Sequence, residues 1–123
     1  MRGFTILTLV GFLVSGCATQ RSAERPKNAP EILSRAEWLA QPPVLEMKTH
    51  RINQITIHHT AVKQNPQRTL AQKLTSLQKF SQNPGTLGNG KTKPAWPDVP
   101  YHYYIDCHGN IGEGRELKYV GDT

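Results

Sequence analysis

Two adjacent histidines, His58 and His59, are the residues whose type and spacing most directly suggest chemistry in this sequence. A neutral imidazole at a strand end is a good zinc ligand, but two or three further ligands must then come from elsewhere in the fold. Successive side chains of a strand point to opposite faces, so an ideal strand presents only one of the two histidines to a single ion. Taken alone, the pair favours a structural or surface histidine slightly over a metal ligand.

A second candidate is Cys17, which ends the run Val14-Ser15-Gly16-Cys17 after an apolar stretch over residues 4–14. With Arg2 ahead of that stretch, the arrangement resembles the signal peptide and lipobox of bacterial lipoproteins, in which the cysteine thiol takes a diacylglycerol. The apolar stretch is too short to span a bilayer comfortably. The alternative is an ordinary secretory signal with a chance cysteine. Because Ala18 rather than aspartate follows the cysteine, the same resemblance predicts a Gram-negative outer-membrane lipoprotein that faces the periplasm.

The charge balance restricts the classes of partner. The chain carries 15 Lys and Arg against 9 Asp and Glu, a net charge of +6 at pH 7. Such a balance favours an anionic partner such as cell-wall polymer or lipid head groups, although scattered cations are more typical of a solvated surface. No basic stripe is interleaved with aromatic residues, so nucleic acid is disfavoured. After lipidation of Cys17 the remaining thiol is Cys107, which excludes an intramolecular disulfide.

The segments that position these residues form one small domain, since 123 residues permit no more. We expect residues 1–16 to be a lipoprotein signal peptide and residues 17–30 to be the lipidated cysteine with a flexible, polar linker. Residues 31–123 are expected to fold. A domain of this size buries only a modest core.

Local signals place the first elements of that domain. Ser34 and Glu37 have the spacing of a capping box, which predicts a short helix that carries Trp38 and ends before the prolines that follow. Residues 53–60 contain the alternating run Ile55-Thr56-Ile57 and are rich in β-branched side chains, which predicts a short, central strand ending in the two histidines.

The second half of the domain has a helix, a loop and a hairpin. Thr69 is placed to cap a helix over residues 70–82, and its apolar positions are expected to pack on the sheet: Leu70, Leu74, Leu77 and Phe80. The density of Gly and Pro in residues 83–100 predicts a long, exposed loop without regular structure. Residues 101–106 and 111–115 are predicted to pair as a hairpin across a tight turn.

The order of these motifs resembles one family throughout. The matching runs are Ile55-Thr56-Ile57-His58-His59-Thr60-Ala61, the amphipathic helix, Trp96-Pro97-Asp98-Val99-Pro100-Tyr101-His102-Tyr103-Tyr104-Ile105-Asp106 and Gly109-Asn110-Ile111-Gly112-Glu113-Gly114-Arg115. They resemble the type 2 N-acetylmuramoyl-L-alanine amidases, which include peptidoglycan recognition proteins and phage amidase-type lysozymes. Members share a strand ending His-x-[Ser/Thr]-Ala, a Trp and an Asp ahead of a Tyr-[His/Asn]-[Phe/Tyr] strand, and a hairpin closing in Glu-x-Arg or Glu-Gly-Arg. The resemblance covers roughly residues 32–123.

The resemblance implies roles for three of the residues. His58 matches the family's first zinc ligand, whereas His59 stands at a position that varies among members and is a substrate-binding candidate instead. Tyr101 matches an active-site tyrosine, whose hydroxyl can donate a hydrogen bond to the substrate carbonyl or the bound water as negative charge develops on oxygen. Without the resemblance, a strand aromatic in the core would be the better interpretation of Tyr101.

Three further residues are substrate-binding candidates by the same resemblance. Trp96 and Asp98 are expected on the rim of the site, where Trp96 either stacks on sugar or peptide or anchors its loop. Arg115 is expected to shape the hairpin end and the groove. Strand alternation places His102 on the opposite face from Tyr101, which favours a structural role for His102.

The implied fold is α/β, with a mixed central sheet flanked by helices and truncated at the C-terminus. The implied reaction is zinc-dependent hydrolysis of the amide between N-acetylmuramic acid and L-alanine, in intact peptidoglycan or in muropeptides. The remaining ligands for Zn²⁺ are expected beyond residue 123, so this chain alone is expected to be inactive. The protein is expected to be a monomer. The alternative is a non-catalytic envelope lipoprotein that binds peptidoglycan.

Overall fold

The computed structural model describes residues 26–60 and 62–122. The predicted signal peptide and Cys17 lie outside the described residues. Within the described part, one helix and five short strands follow in the order β1 (Ile32–Leu33), α1 (Leu70–Gln82), β2 (Gly85–Thr86), β3 (Thr92–Lys93), β4 (Tyr103–Ile105) and β5 (Ile111–Glu113). No helix in this part of the chain has the length and apolar character needed to cross a bilayer.

The larger sheet has three strands in the order β1-β5-β4. β1 runs parallel to β5, and β4 pairs antiparallel with β5 across a hairpin. The predicted hairpin is therefore confirmed, although its strands are shorter than expected. Mixed pairing together with a helix is compatible with the predicted α/β class, but a single helix packs on this sheet in the described part of the chain.

Helix α1 has the bounds that its sequence predicted. The hydroxyl of Thr69 accepts from the backbone N of Gln72 at 3.2 Å, and Gln72 Oε1 accepts from the backbone N of Thr69 at 3.0 Å. This reciprocal pair satisfies two of the amides that a helix start leaves without intrahelical partners. The helix start is thus a local property of the sequence.

The buried face of α1 differs from the predicted one. Its buried residues are Leu70, Leu74, Gln78 and Ser81, whereas Phe80 keeps 43% of its surface exposed. The placement of Phe80 in the core was wrong because the helix turns towards Trp38, with which Leu70 and Leu74 form the core cluster. Close approach to β5 needs a glycine, since a Cβ at Gly112 would lie 2.7 Å from Leu74 Cδ1.

The segment that carries Trp38 is a turn over residues 35–39 and not the predicted short helix. The expected reciprocal bonds are present: Ser34 N donates to Glu37 Oε2 at 2.7 Å, and Glu37 N donates to Ser34 Oγ at 3.3 Å. Leu39 then adopts a φ of 59°, a left-handed conformation that ends the turn after one cycle. The turn buries Trp38, whose Nε1 donates to the Glu113 carbonyl at 2.7 Å.

The predicted central strand over residues 53–60 is not formed. None of these residues has strand structure, and all are exposed, with Ile55 at 90% and Ile57 at 95%. A strand is stabilised by hydrogen bonds and side-chain contacts with a neighbour, and β-branched content alone does not supply them. The prediction was wrong because the described residues provide no neighbouring strand for this segment.

The Gly- and Pro-rich region over residues 83–100 contains a two-stranded hairpin, which corrects the prediction of a loop without regular structure. Lys93 of β3 is 1% exposed, and its Nζ donates to the carbonyls of Ser81 at 2.9 Å, Asn83 at 2.7 Å and Pro94 at 2.9 Å. The first two carbonyls belong to the end of α1, where the helix dipole favours a cation. Lys93 therefore fastens this region to the helix.

The turn between β4 and β5 is organised by the carboxylate of Asp106. It accepts from the backbone N of His108 at 2.9 Å and of Asn110 at 3.0 Å, and from Asn110 Nδ2 at 3.1 Å. Burial alone would raise the pKa of Asp106, but these hydrogen bonds and the Lys73 ammonium, 3.9 Å away, outweigh it and lower the pKa.

We expect Asp106→Asn to lower the free energy of unfolding by about 1–2 kcal/mol at pH 7, because three amide N–H donors lose an ionised acceptor. A lowered folded-state pKa means that the contribution is present above the unfolded value of ~3.9 and is lost as the pH falls through the folded value. Urea unfolding should therefore show a difference between wild type and variant that shrinks below about pH 3.9. Exposed Glu46→Gln is the control, and an equal loss in that variant would contradict the assignment.

Candidate functional site

The structure brings together His58 and Tyr101, which are separated by 43 positions. Nδ1 of His58 and the Tyr101 hydroxyl are hydrogen-bonded to each other. The two rings meet edge to face, with centroids 5.5 Å apart and planes at 70°. His58 lies on the extended, exposed segment before α1, and Tyr101 lies two residues ahead of β4. These are the two residues to which the family resemblance assigns active-site roles.

Two arrangements of hydrogen atoms satisfy this contact. In one, the phenol donates to Nδ1 and the His58 ring carries its hydrogen on Nε2. In the other, Nδ1–H donates to the phenol oxygen, so the lone pair of Nε2 stays available and the phenol hydrogen can point at a ligand. Only the second arrangement suits a residue that offers Nε2 to a metal or a proton while Tyr101 donates to a carbonyl oxygen.

His59 is placed differently. Its Nδ1 lies 3.3 Å from the carbonyl oxygen of Thr60, and its ring is tilted by 50° to the His58 ring at a centroid distance of 5.4 Å. Both rings are exposed, but the hydroxyl of Tyr101 is bonded to His58. His58 is therefore the one of the two histidines that contacts Tyr101.

The described residues do not fit a zinc site by themselves. In residues 26–60 and 62–122, no group of three or more His, Cys, Asp or Glu side chains is disposed to hold a metal ion. A catalytic zinc site uses three protein ligands and a water, and the His58 region offers two adjacent imidazoles at most. Cys107 and His108 occupy the hairpin turn, where Cys107 is exposed and His108 Nε2 lies 3.2 Å from the Pro66 carbonyl oxygen.

Tyr101 is held by the end of the hairpin. Its carbonyl accepts from the backbone N of Arg115 at 2.8 Å, and its backbone N donates to the Tyr104 hydroxyl at 3.2 Å. Burial raises the pKa of Tyr104 well above its usual range, so its phenol stays protonated. The segment formed by Glu113, Gly114 and Arg115 therefore has a structural role, which is to hold the backbone of Tyr101 in place.

Asp98 is 1% exposed, so its expected position on the rim is wrong. Its carboxylate accepts from Gln78 Nε2 at 2.7 Å and from the backbone N of Val99 at 2.8 Å, and it pairs with Arg35 Nη2 at 2.9 Å. A buried carboxylate requires a counter-charge and donors, and these three partners supply both. Asp98 therefore ties together α1, the loop before β4 and the turn that carries Arg35.

Arg115 is also buried, and its guanidinium is engaged within the chain. Nε donates to the Val99 carbonyl at 2.9 Å, Nη1 to the Val120 carbonyl at 2.6 Å, and Nη2 contacts Asp122 Oδ2 at 2.6 Å. These bonds join the loop before β4 to the segment after β5. The arrangement agrees with the predicted part of Arg115 in shaping the hairpin end and presents none of these donors to a ligand.

Trp96 is half-buried, and its contacts support the loop-anchor alternative. Its backbone N donates to the Ser81 carbonyl at 2.8 Å, its ring meets that of Phe80 edge to face, and the Lys93 ammonium lies 4.4 Å from its ring centroid. His102 has the structural position expected for it. Its Nε2 lies 2.8 Å from the Tyr119 carbonyl oxygen, and its ring stacks on His50.

Sequence reasoning missed three residues that shape this site, namely Tyr104, Lys93 and Arg35. Tyr104 supports the backbone of Tyr101, Lys93 fixes the loop that leads to Tyr101, and Arg35 neutralises Asp98. One signal for Tyr104 was present, because it follows Tyr101 within the aromatic strand motif. No motif in the sequence marks Lys93 or Arg35. The partner of Arg35, Asp98, lies far along the chain, and Lys93 donates only to backbone carbonyls, which any residue can provide.

Comparison with known proteins gives one informative match. The chain is 31% identical over 99 residues to Peptidoglycan-recognition protein LE of Drosophila melanogaster, an alignment that covers 78% of this chain and 26% of that protein. The chain thus spans about a quarter of the length of the curated relative it matches. No family model matches, and no solved structure matches. The match supports a relationship to a peptidoglycan-recognition or amidase-like family at that coarse level.

Proposed function

We propose that this chain belongs to the peptidoglycan-binding and -cleaving part of an N-acetylmuramoyl-L-alanine amidase. The observation that carries the proposal is the contact between His58 and Tyr101, in a chain similar to a peptidoglycan-recognition protein. The substrate is the amide that joins the lactyl group of N-acetylmuramic acid to L-alanine. Its hydrolysis leaves a muramoyl carboxylate and a peptide with a new amino terminus.

In this proposal Tyr101 acts on the scissile carbonyl. Its phenol donates to the carbonyl oxygen as the tetrahedral intermediate places negative charge there. His58 orients the phenol through Nδ1–H, which leaves the hydroxyl hydrogen free to point at the substrate. A catalytic zinc site uses three protein ligands, and with His58 as one of them at least two would have to come from outside residues 26–60 and 62–122. The described part of the chain therefore contributes Tyr101 and His58 to the proposed site.

A second candidate is recognition of peptidoglycan without cleavage. It is favoured by one observation, that the described residues hold no group of three potential metal ligands. A protein of this kind would bind isolated cell walls and release no peptide. The two candidates therefore make opposite predictions for product formation at equal binding.

The intact protein, incubated with isolated sacculi, should release peptides that begin with L-alanine. Tyr101→Phe is expected to lower that rate by about 100-fold or more, the usual cost of losing one oxyanion donor. Tyr103→Phe is the matched control, because Tyr103 lies on β4 with an exposed side chain. Binding without release by the wild type would support the second candidate, and absence of both would contradict the two proposals together.

We further propose that Cys17 carries a lipid that holds the protein at the outer membrane, on the periplasmic side. The support is the run Val14-Ser15-Gly16-Cys17 after an apolar stretch. Growth with a tagged fatty acid should label the wild type and Cys107→Ala but leave Cys17→Ala unlabelled. Equal labelling of the wild type and Cys17→Ala would refute the anchor.

A further inference from the structure

We infer that Gly114 and Tyr104 are positioning residues for the pair of Tyr101 and His58. A Cβ on Gly114 would meet the Tyr101 carbonyl, the Tyr104 hydroxyl accepts from the Tyr101 backbone N, and the Tyr104 ring lies 5.8 Å from the Tyr101 ring, centroid to centroid. The consequence for catalysis rests on the proposed function, whereas the positioning itself is a property of the fold. Gly114, Arg115 and Tyr104 surround the backbone of Tyr101, and we call these three residues the Tyr101 cradle.

The Tyr101 cradle leaves no room for a side chain at position 114. A Cβ on Gly114 would lie 2.2 Å from the carbonyl oxygen of Tyr101 and 2.6 Å from Tyr104 Cε2. Both distances are far below the ~3.5 Å at which nonbonded heavy atoms are in contact. One side of this contact has to move when any other residue replaces the glycine.

On the Gly114 side of this contact, hydrogen bonds hold the backbone in place. The Glu113 carbonyl accepts from Trp38 Nε1 at 2.7 Å, and Trp38 is part of the core. The Gly114 carbonyl accepts from Arg35 Nη1, and its backbone N donates to the His102 carbonyl at 2.7 Å. The backbone around Gly114 is therefore held on both sides, and displacement falls on Tyr101 and Tyr104.

Tyr101 is hydrogen-bonded to the other members of the Tyr101 cradle through both its backbone N and its carbonyl oxygen. Its carbonyl accepts from Arg115 N at 2.8 Å, and its N donates to the Tyr104 hydroxyl at 3.2 Å. A shift of the Tyr104 ring or of the Tyr101 carbonyl thus changes where the Tyr101 phenol lies. His58 comes from a distant, exposed segment, so it does not follow that shift.

Gly112 provides a matched control two residues earlier on β5. A Cβ there would lie 2.7 Å from Leu74 Cδ1 and 3.0 Å from Leu70 Cδ2. The close contacts are again too short for a side chain, but they are made with the ends of flexible leucines on α1. Gly112→Ala therefore displaces leucine side chains of the core, whereas Gly114→Ala meets the Tyr101 carbonyl itself.

The test is NMR spectroscopy of the full 123-residue chain with labelled histidine and tyrosine. Tyr101→Phe calibrates the change in the His58 Nδ1 chemical shift when the phenol is removed. Gly114→Ala is expected to reproduce that change and to abolish the nuclear Overhauser effect between the two rings, whereas Gly112→Ala keeps both signals. An unchanged ring contact and His58 shift in folded Gly114→Ala would overturn the inference.

A second pair of variants keeps the inference testable if Gly114→Ala does not fold. Tyr104→Phe removes only the hydroxyl that accepts from Tyr101 N, and Tyr103→Phe removes an exposed hydroxyl one position earlier. The His58 Nδ1 shift should move towards the Tyr101→Phe value in the first variant and stay in place in the second. No movement in Tyr104→Phe would overturn the inference as well.

Turnover separates this inference from the proposed function. A misplacement of ~1 Å at a reacting group can cost about 100-fold in rate, so Gly114→Ala in the intact protein should lower kcat on that scale with little change in KM. If the ring contact is lost and turnover is unchanged, the positioning stands and the catalytic use of Tyr101 fails. If turnover is lost while the ring contact persists, the positioning is wrong.

Discussion

His58→Ala in the intact protein is expected to lower the release of L-alanine peptides from sacculi by at least ~100-fold, the scale on which one group at the reacting centre acts. The substitution removes the imidazole and, with it, the hydrogen bond that orients the Tyr101 phenol. His59→Ala is expected to lower the rate far less, because the His59 ring nitrogen lies near its neighbour's carbonyl and the Tyr101 hydroxyl is bonded to His58.

Peptide release is measured by chromatography at saturating and at limiting substrate, so that kcat and KM are obtained separately. His58→Ala should lower kcat, whereas a contact of His59 with substrate would appear as a rise in KM. Loss of turnover in His59→Ala with retention in His58→Ala would mean that the register of the site is wrong by one residue. Circular dichroism of both variants controls for folding.

Asp98→Asn is expected to lower the free energy of unfolding by about 3 kcal/mol, because it leaves the Arg35 guanidinium without its buried counter-charge. Gln78 Nε2 and Val99 N both donate to the same carboxylate oxygen, Oδ1. The single oxygen of the asparagine amide can keep these two bonds, so the amide NH2 group then takes the place of Oδ2 beside Arg35. The loss is large because the carboxylate is 1% exposed, so water cannot replace the lost interactions.

Urea unfolding at pH 7 measures this loss, and Glu116→Gln is the matched control. Glu116 pairs with Lys118 at 2.7 Å, but both side chains are about half exposed and screened by water, so its replacement should cost far less than that of Asp98. Similar midpoints for Asp98→Asn and the wild type would show that the buried pair contributes no net stability. Equal losses in both variants would show that burial is not the cause.

Several parts of this structure follow from short stretches of sequence. Helix α1 begins at Thr69 because the capping box needs only residues three positions apart, and its bounds were predicted correctly. The hairpin of β4 and β5 was predicted for a similar reason, since its turn depends on Asp106 and on a glycine with positive φ at position 109. The chemistry of His58 and Tyr101 came from family motifs, and their contact is present in the fold.

Other features depend on contacts between residues that are distant in the chain. Residues 53–60 have strand composition but no strand, because pairing requires a neighbour that local sequence does not specify. The helical periodicity of α1 allowed several apolar faces, and the positions of Trp38 and Gly112 selected the one that buries Gln78 in place of Phe80.

The charged residues show most clearly the difference between what local sequence determines and what long-range contacts determine. Asp98 occurs in a motif that suggested an exposed position on the rim, and Arg115 occurs in one that suggested a part in shaping the groove. Both are buried among partners from four separate segments. Whether a charge is buried depends on which donors and acceptors surround it in space, since burial without them costs several kcal/mol, on the order of a domain's whole stability. Family motifs in the sequence suggested the side chains to which we assign chemistry, and long-range packing determined which of the charged ones are buried.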